Sequence, residues 1–327
     1  MTQSNKCKED YDVIVIDGNH LSHRLRHTMN LSTDDVQTGV LYGFITNLVH
    51  LWNKFETTSI IVCWDSGTPE FRTELYPDYK KRTGEREEDP TWPDMIRQME
   101  QLQELLPYMG VLSLKNEEKS EADDLIYTVT TTLDANIIIV SGDTDMWQLV
   151  SDNVHVYIPK RSEIICPNNF EKFTDSLSKD GWNMYRAMVG DSSDKIKGIP
   201  GIGDKTARKL ISDFQTDEEL FDAASYHDER ISKSVINKLV KYEETFFDLM
   251  EIMVLGAEHY DLGMSYWNEL QKIVVNQFYN YQIPSWRWVR NFCEDYKFYS
   301  LIGNEHLESL VVSLDNPIMF KNWEEIV

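Results

Sequence analysis

The sequence predicts an α/β fold with a parallel sheet, followed by a helical region. Over about the first 160 residues, short apolar segments that end in aspartate alternate with segments of helical periodicity, as in doubly wound sheets. Strand-like patterns stop near residue 180, and the remainder is helical and charged. With 327 residues, of which 41% are hydrophobic, the chain can form one large core and a smaller attached unit.

The predicted strands are nearly continuous apolar runs, which is typical of parallel strands buried on both faces. Apolar residues recur at helical spacing between these runs, so helices are predicted there. After the third run, two short segments are predicted to form a hairpin. The predicted strands are Tyr11–Asp17, Ser59–Asp65 and Asn136–Asp143, the helices Leu41–Trp52, Trp92–Met109 and Ser120–Leu133, and the hairpin segments Val154–Ile158 and Glu163–Cys166.

The overall charge of the chain argues against a protein that binds nucleic acid over most of its surface. The 32 Lys and Arg against 55 Asp and Glu give a net charge of −23, whereas nucleic-acid-binding domains usually carry a basic excess. The longest apolar runs fall far short of the roughly 18 residues of a membrane helix, and the first residues do not resemble a signal peptide. The four cysteines are scattered, so we expect neither a zinc site nor a disulfide framework, and a cytoplasmic location.

Carboxylates are gathered at the predicted strand ends and helix starts. Each one alone has a simple alternative explanation, because aspartates there often cap a turn or helix. Together they would repel one another unless a cation lay among them. An all-oxygen set suits Mg²⁺ or Mn²⁺, and many carboxylates indicate two metal ions acting on a phosphodiester. The set is Asp17, Asp65, Glu121, Asp123, Asp124, Asp143, Asp145, Asp191 and Asp194.

A glycine-rich turn precedes a predicted helix at Asp204–Phe214. Residues 195–211 carry five basic side chains against one acid, a local reversal of the overall charge. Free backbone N–H groups before a helix can hold a phosphate; a purely structural turn is the alternative. The residues predicted to contact nucleic acid here are Lys197, Gly198, Gly201, Gly203, Lys205, Thr206 and Lys209.

The segment Phe71–Arg86 is basic and aromatic without clear periodicity. One interpretation is an ordinary surface loop. The other is a single-strand contact in which Tyr79 stacks on a base while Lys80 and its neighbours hold a phosphate. The neighbours predicted to contact nucleic acid are Lys81, Arg82 and Arg86.

The order of the short motifs DG, WD, EADD, SGDTD, GDxxD and GIPGIG resembles the 5′-nuclease (flap endonuclease) superfamily. That superfamily includes the 5′-nuclease domains of bacterial DNA polymerases and the phage 5′→3′ exonucleases. The YKKR segment and the tail Trp267–Tyr299 are most similar to the T-even phage ribonuclease H branch. The resemblance implies a PIN-like α/β catalytic domain over 1–192, with a helical arch at about 69–95. It also implies a helical DNA-binding domain over 193–327, with a helix–three-turn–helix at about 195–215 and a helical C-terminal extension.

The resemblance also implies roles for individual residues. Asp17, Asp65, Glu121 and Asp123 match the ligands of a first metal ion. Asp143, Asp145 and Asp191 match a second set, with Asp124 and Asp194 as accessory acids. Arg24 and Arg72 match basic residues near the active-site entrance, and Lys80 matches an arch lysine that contacts the scissile phosphate. The arch arginine of the family falls on Thr83, so Arg82 or Arg86 would replace it.

The function implied is a metal-dependent, structure-specific 5′-nuclease that removes RNA primers or 5′ flaps. Its expected substrates are branched or nicked DNA and RNA–DNA hybrids, and a K⁺ ion is expected at the helix–three-turn–helix. The resemblance further implies a monomer that works beside a replication clamp and a single-strand-binding protein, in a host cytoplasm if phage-encoded. A PIN-like single-strand ribonuclease and an inactive structural DNA-binding homologue are the alternatives.

Overall fold

The computed structural model describes residue 7 and residues 10–57, 59–81, 89–257, 261–279 and 283–313. The first half of the chain alternates strands and helices. Its elements are β1 (Val13–Asp17), α1 (Gly18–Thr28), β2 (Ser32–Thr33), β3 (Val36–Gln37), α2 (Gly39–Phe55), β4 (Ile60–Trp64), α3 (Glu70–Leu75), α4 (Trp92–Leu105), β5 (Leu112–Lys115), α5 (Ala122–Thr132), β6 (Ile137–Val140), β7 (Val154–Ile158) and β8 (Glu163–Ile165), with 3₁₀ turns at Leu106–Met109 and Thr144–Leu149.

The second half is almost entirely helical. A 3₁₀ turn at Pro167–Asn169 leads into it, and the strand pair β9–β10 has only two residues in each strand. The elements are α6 (Phe170–Phe173), α7 (Lys179–Val189), β9 (Gly190–Asp191), β10 (Ile196–Lys197), α8 (Asp204–Asp213), α9 (Asp217–Ser225), α10 (Lys233–Lys241), α11 (Glu243–Met253), α12 (Asp261–Tyr279), α13 (Trp286–Asp295), α14 (Tyr299–Ile302) and α15 (Glu305–Ser313).

The central sheet has the strand order β5-β4-β1-β6-β7-β8, and every pair is parallel except β7–β8. The predicted α/β class, parallel sheet and terminal hairpin are therefore confirmed. β1 lies in the middle, with Ile16 opposite Val62 of β4 on one side and Val140 of β6 on the other. The chain moves from β1 to β4 and β5, then returns to the other side of β1. This reversal is a topological switch point, where ligands of such sheets bind.

Both faces of the sheet are covered, which explains why its strands are apolar throughout. Ile14 and Ile16 of β1 face a core that includes Phe44 of α2. Val13 and Val15 face the opposite core, which includes residues of α5. The alternation of side chains along β1 thus serves two separate cores and fixes the strand register.

A third core holds the helical unit together. It includes Tyr79 and the buried residues from Leu177 through α7 to α11 as far as Met253. The prediction placed the domain division at 192, but α7 already belongs to the core of the helical unit. The arch predicted at about 69–95 is described only in part: α3 and the start of α4 are present, and residues 82–88 lie outside the described residues.

The last helices do not extend the helical unit. Trp267, Leu270 and Val274 of α12 pack into the core beside α5, while Val289 and Leu307 join the core on the other face of the sheet. The prediction assigned these helices to a helical domain over 193–327, whereas in the described residues they pack on the α/β domain. The chain leaves the helical unit after about residue 255 and returns to cover the α/β domain.

Cys7 and Cys166 form a disulfide, which joins the N-terminal segment to the residue that follows β8. No disulfide framework was expected from the scattered cysteines, because 159 residues separate these two and their spacing carries no pairing signal. The bond contradicts the argument from the cysteines for a reducing compartment. Among the helices of the described residues, none has the length and apolar character needed to cross a membrane.

Candidate functional site

Three aspartates lie at the carboxyl ends of the central strands, as predicted. Asp17 ends β1, Asp65 follows β4, and Asp143 follows β6. Asp17 caps α1 by accepting from the His20 N–H at 2.8 Å, and Asp143 caps the 3₁₀ turn by accepting from Asp145. Asp65 accepts from the Ala122 N–H at the start of α5, at 2.7 Å. Asp17 and Asp143 therefore cap the helix or turn that follows them, whereas Asp65 binds the start of α5, which is distant in sequence. These bonds fix the three carboxylates at one edge of the sheet.

The carboxylates affect one another strongly. Burial, together with the nearby charges of Asp65 and Asp143, raises the pKa of Asp17 to about 7. Burial is also the main cause of the raised pKa of Asp123, and the Asp143 and Asp17 carboxylates add to it. An excess of buried negative charge is thus concentrated at the switch point. Its donors are all carboxylate oxygens, so this side-chain set fits a hard divalent cation.

Two basic side chains, Lys80 and Arg186, lie between other carboxylates of the predicted set. Lys80 Nζ is 3.0 Å from Glu121 Oε1 and 3.8 Å from Asp194 Oδ2. Arg186 Nη2 is 2.6 Å from Asp145 Oδ1 and 3.2 Å from Asp191 Oδ2. Within the described part of the chain, no three Asp, Glu, His or Cys side chains stand as a ready metal-ligand set. A cation binding here would therefore compete with Lys80 and Arg186 for carboxylate oxygens.

Arg186 was not predicted from the sequence. It lies on α7 with its side chain buried. Burial lowers the pKa of its guanidinium, the ion pair with Asp145 acts in the opposite direction, and the pKa is raised overall. Burial raises the pKa of Asp145 to about 7 even though Arg186 opposes this change. Its position carried no signal: Arg186 lies two residues from both Met184 and Met188 and therefore on the opposite side of α7 from these buried apolar residues. Its burial depends on the acidic partners Asp145 and Asp191, which come from other segments of the chain.

A buried network holds Glu121 in place behind this edge. Arg72 donates from Nη1 to Glu121 Oε2 at 2.9 Å and binds Asp124 through two nitrogens, at 2.7 and 2.9 Å. Tyr79 donates to the same Glu121 oxygen at 2.9 Å. Tyr266 of α12 donates to Asp124 Oδ2 at 2.8 Å. The network joins α3, α5 and the returning helix α12 around the carboxylates of Glu121 and Asp124.

Two sequence predictions change as a result. Arg72 was expected near the entrance, but its side chain is 1% exposed and its Nε donates to the Ile252 carbonyl. Tyr79 was expected to stack on a base, but its ring is 7% exposed and packs in the core of the helical unit. Both residues face inward because Glu121 and Asp124 draw the Arg72 guanidinium and the Tyr79 hydroxyl into the interior.

The other arch and entrance residues have varied positions. Arg24 of α1 is half-buried and donates to Asn47 of α2 at 3.0 Å. It lies beside His20, whose pKa is lowered overall. Burial is the main cause, the Asp143 carboxylate opposes it, and the Arg24 charge adds to it. Lys81 is exposed, 3.4 Å from Asp78. Arg82 and Arg86 lie outside the described residues.

A cavity of about 320 Å³ opens beside Lys80 and Glu121. Its lining includes the Asp65 carboxylate and the side chains of Trp92 and Met95 of α4. The cavity therefore offers an apolar wall beside a charged edge, an arrangement suited to a ligand that has both flat apolar and anionic parts.

The glycine-rich turn connects β10 to α8. A Cβ on Gly198 would lie 2.2 Å from the Met188 carbonyl, and Gly201 has φ +80°, so both positions require glycine. Gly203 precedes α8 without a side-chain cap, and a Cβ there would meet open space. Thr206 is half-buried one turn into the helix. The predicted lysines of the segment are exposed: Lys197, Lys205 and Lys209.

The matches to known protein families fall on two parts of the chain, the α/β domain and the helical unit. Residues 12–175 match the family model of the 5'-3' exonuclease N-terminal, resolvase-like domain, and residues 178–261 match that of the 5'-3' exonuclease C-terminal SAM fold. Thermostable DNA polymerase I of Thermus aquaticus is 34% identical over 215 residues, covering 64% of this chain and 24% of the polymerase. The chain thus spans about a quarter of that relative's length.

Two further matches cover more of the other protein. The 5'-3' exonuclease of Bacillus subtilis (strain 168) is 29% identical over 225 residues, which is 65% of this chain and 74% of the relative. The flap endonuclease of bacteriophage T5, solved as a variant with DNA and metal ions, has a TM-score of 0.62 at 19% identity, over 80% of this chain and 98% of that one. That likeness concerns the fold. Since the N-terminal family model alone matches half of the residues, the chain belongs to the 5'-3' exonuclease family of the 5'-nuclease superfamily.

Proposed function

We propose that the protein is a metal-dependent, structure-specific 5′-nuclease that cleaves phosphodiesters in branched or nicked DNA and in RNA–DNA hybrids. The observation that carries the proposal is the gathering of carboxylates at the switch point, with Lys80 between two of them. The T-even-like motifs support RNA-primer or flap removal in phage-type replication. A replication clamp, a single-strand-binding protein and action as a monomer rest on that resemblance.

Mg²⁺ or Mn²⁺ would supply activation of the attacking water and neutralisation of charge on the phosphate. The proposed ligands are Asp17, Asp65, Glu121, Asp123, Asp143, Asp145 and Asp191. Asp194 would assist through its contact with Lys80. Asp124 is better placed as a positioning residue, because both of its oxygens accept from Arg72 and one also accepts from Tyr266.

Lys80 is the proposed phosphate contact. Its side chain is 25% exposed, faces the cavity and adopts φ +47°, with its N–H donating to the Asp194 carbonyl. The backbone thus holds the lysine at the edge of the site, where its ammonium can exchange a carboxylate partner for a phosphate oxygen. Arg24 is proposed to assist from the His20 side of the same edge.

Replacing Lys80 with alanine should slow single-turnover cleavage by about 10²-fold or more, since one positioned charge contact is lost. Duplex affinity, measured without divalent metal, should change by no more than about threefold. Lys172→Ala is the control, because that lysine is 74% exposed and its ion-pair partner is Glu163 of β8, which is not among the proposed ligands. A near-normal single-turnover rate in the Lys80 variant would remove this lysine from the mechanism.

The glycine-rich turn is the proposed duplex-binding element. Gly203→Val should weaken duplex affinity about tenfold, because the valine side chain would occupy the open space in front of the α8 N–H groups. The extended backbone at Gly203, with φ −107°, accepts valine without strain, so the melting temperature should hold.

Gly303→Val is the matched control for that variant, because Gly303 has φ −85° and its Cβ would also meet little. Fluorescence anisotropy with a labelled duplex measures both variants. Equal affinity of the Gly203 and Gly303 variants would show that the turn is only structural.

The direct test of the proposed function uses a 5′-labelled flap, an RNA–DNA hybrid and a single-stranded RNA, each with and without Mg²⁺. A 5′-nuclease cleaves the flap or the hybrid only when the metal is present. Cleavage restricted to single-stranded RNA would indicate the PIN-like ribonuclease instead. Duplex binding without any cleavage would indicate an inactive homologue.

A further inference from the structure

The glycine-rich turn carries an exposed carbonyl that a lysine from another helix binds. Gly201 is exposed with φ +80°, and the N–H of Ile202 donates to the Ile199 carbonyl to close the turn. Lys238 of α10, 37 residues further along the chain, donates from Nζ to the Gly201 carbonyl at 2.8 Å. This hydrogen bond connects the turn directly to α10.

The lysine is placed by the packing of its helix. Ile236 and Leu239, on either side of Lys238, are buried in the core of the helical unit, together with Ile199 and Ile202 of the turn. The side chain also lies close along the turn, since a Cβ on Gly201 would be 2.6 Å from Nζ and 3.0 Å from Cε. The ammonium is therefore positioned by a packed helix against a turn that only glycine can form.

The charge of this ammonium is not neutralised locally. Within the described residues, Lys238 has no carboxylate at ion-pair distance; its bond goes to a neutral carbonyl. The turn is followed by the α8 N-terminus, and Lys205 and Lys209 are exposed nearby on that helix. A full positive charge thus lies at the point where the proposed function places a DNA phosphate.

The K⁺ ion that the resemblance implies does not fit this arrangement. A K⁺ ion at the turn would need its backbone carbonyl oxygens, and the Gly201 oxygen already accepts from an ammonium of the same unit charge. We propose that Lys238 takes the place of a monovalent cation at the glycine-rich turn, so that the protein grips duplex DNA without K⁺. The inference rests on the proposed duplex binding by this turn.

The test compares duplex binding in two salts. Wild type, Lys238→Met and Lys241→Met are measured by anisotropy on a nicked duplex in EDTA, in either KCl or tetramethylammonium chloride at equal concentration. Lys241 is the matched control, because it is an exposed lysine three residues further along α10 and its Nζ lies 4.8 Å over the Tyr242 ring, away from the turn. Methionine keeps the length of the stem and removes the charge.

Wild type should bind with affinities that agree within about twofold in the two salts. Lys238→Met should bind about tenfold more weakly in tetramethylammonium and regain most of that loss in KCl, because K⁺ can then occupy the vacated position. Lys241→Met should change affinity by the same small factor in both salts, because its ammonium lies over the Tyr242 ring and holds no turn carbonyl.

A K⁺ requirement in wild type, or identical behaviour of the two variants, would overturn the inference. A second measurement needs no DNA: K⁺ should raise the melting temperature of Lys238→Met but not of wild type. If wild type binds no duplex in either salt, the proposed function fails. The melting experiment then still decides whether Lys238 occupies a cation position.

Discussion

Arg72→Met is expected to lower the free energy of unfolding by about 3–5 kcal/mol, because it removes the buried cation from two buried carboxylates. Arg72 is 1% exposed and bonds both Glu121 and Asp124. Without it, the donors that the described residues still offer Asp124 are the Tyr266 hydroxyl and the Glu121 N–H. Methionine fills a similar volume, so the loss reports charge compensation rather than a cavity. Urea unfolding, followed by circular dichroism, measures the difference.

Two comparisons make this measurement specific. Lys119→Met breaks an exposed ion pair with Glu70 and should cost less than about 1 kcal/mol. Adding Asp124→Asn to Arg72→Met should restore part of the loss, because one uncompensated charge is then removed. A loss below about 1 kcal/mol for Arg72→Met would contradict the buried network. It would return Arg72 to the entrance role that the resemblance implied.

The strands and their terminal acids were predictable because their signals are local. A parallel strand covered on both faces must be apolar throughout, as β1 and β4 are. The chain then leaves each strand at a polar turn, which puts Asp17, Asp65 and Asp143 at one edge. Neither inference needs to know what the strand packs against.

The inward orientation of Arg72 and Tyr79 was not predictable in this way. Their segment has the composition of an exposed basic-aromatic loop. What draws them inside is the pair Glu121 and Asp124, about 50 residues further on, together with Tyr266 from α12. The burial of a charge depends on where its partner folds, and a local pattern does not contain that information.

The course of the C-terminal helices was hidden for a similar reason. The amphipathic pattern of α12 shows that one face is buried, but it does not say which core receives that face. In the structure Trp267 and Leu270 cover α5 rather than the helical unit. Helices of similar composition thus serve two different cores, and the composition of a helix does not reveal which core it joins.

Replacing Asp143 and Asp145 together with asparagine is expected to separate substrate binding from chemistry. Without divalent metal, the carboxylates of the wild-type edge outnumber the Lys80 and Arg186 charges that pair with them, so the double variant should bind duplex equally well or better. With Mg²⁺, wild type should gain affinity and cleavage, while the variant should gain little and lose about 10³-fold or more in rate. Filter binding and single-turnover cleavage measure the two effects.

The structure supplies the controls for this experiment. Asparagine can still accept the Asp145 N–H at position 143, so the cap of the 3₁₀ turn survives. Arg186 loses the Asp145 charge but keeps Asp191, so thermal unfolding is measured alongside. Asp134→Asn with Asp152→Asn removes two exposed charges before β6 and β7, at the opposite end of the sheet, and should leave metal-stimulated cleavage intact. If a folded Asp143 and Asp145 variant cleaves a 5′ flap at the rate of this control, these acids cap the turn and hold no metal ion.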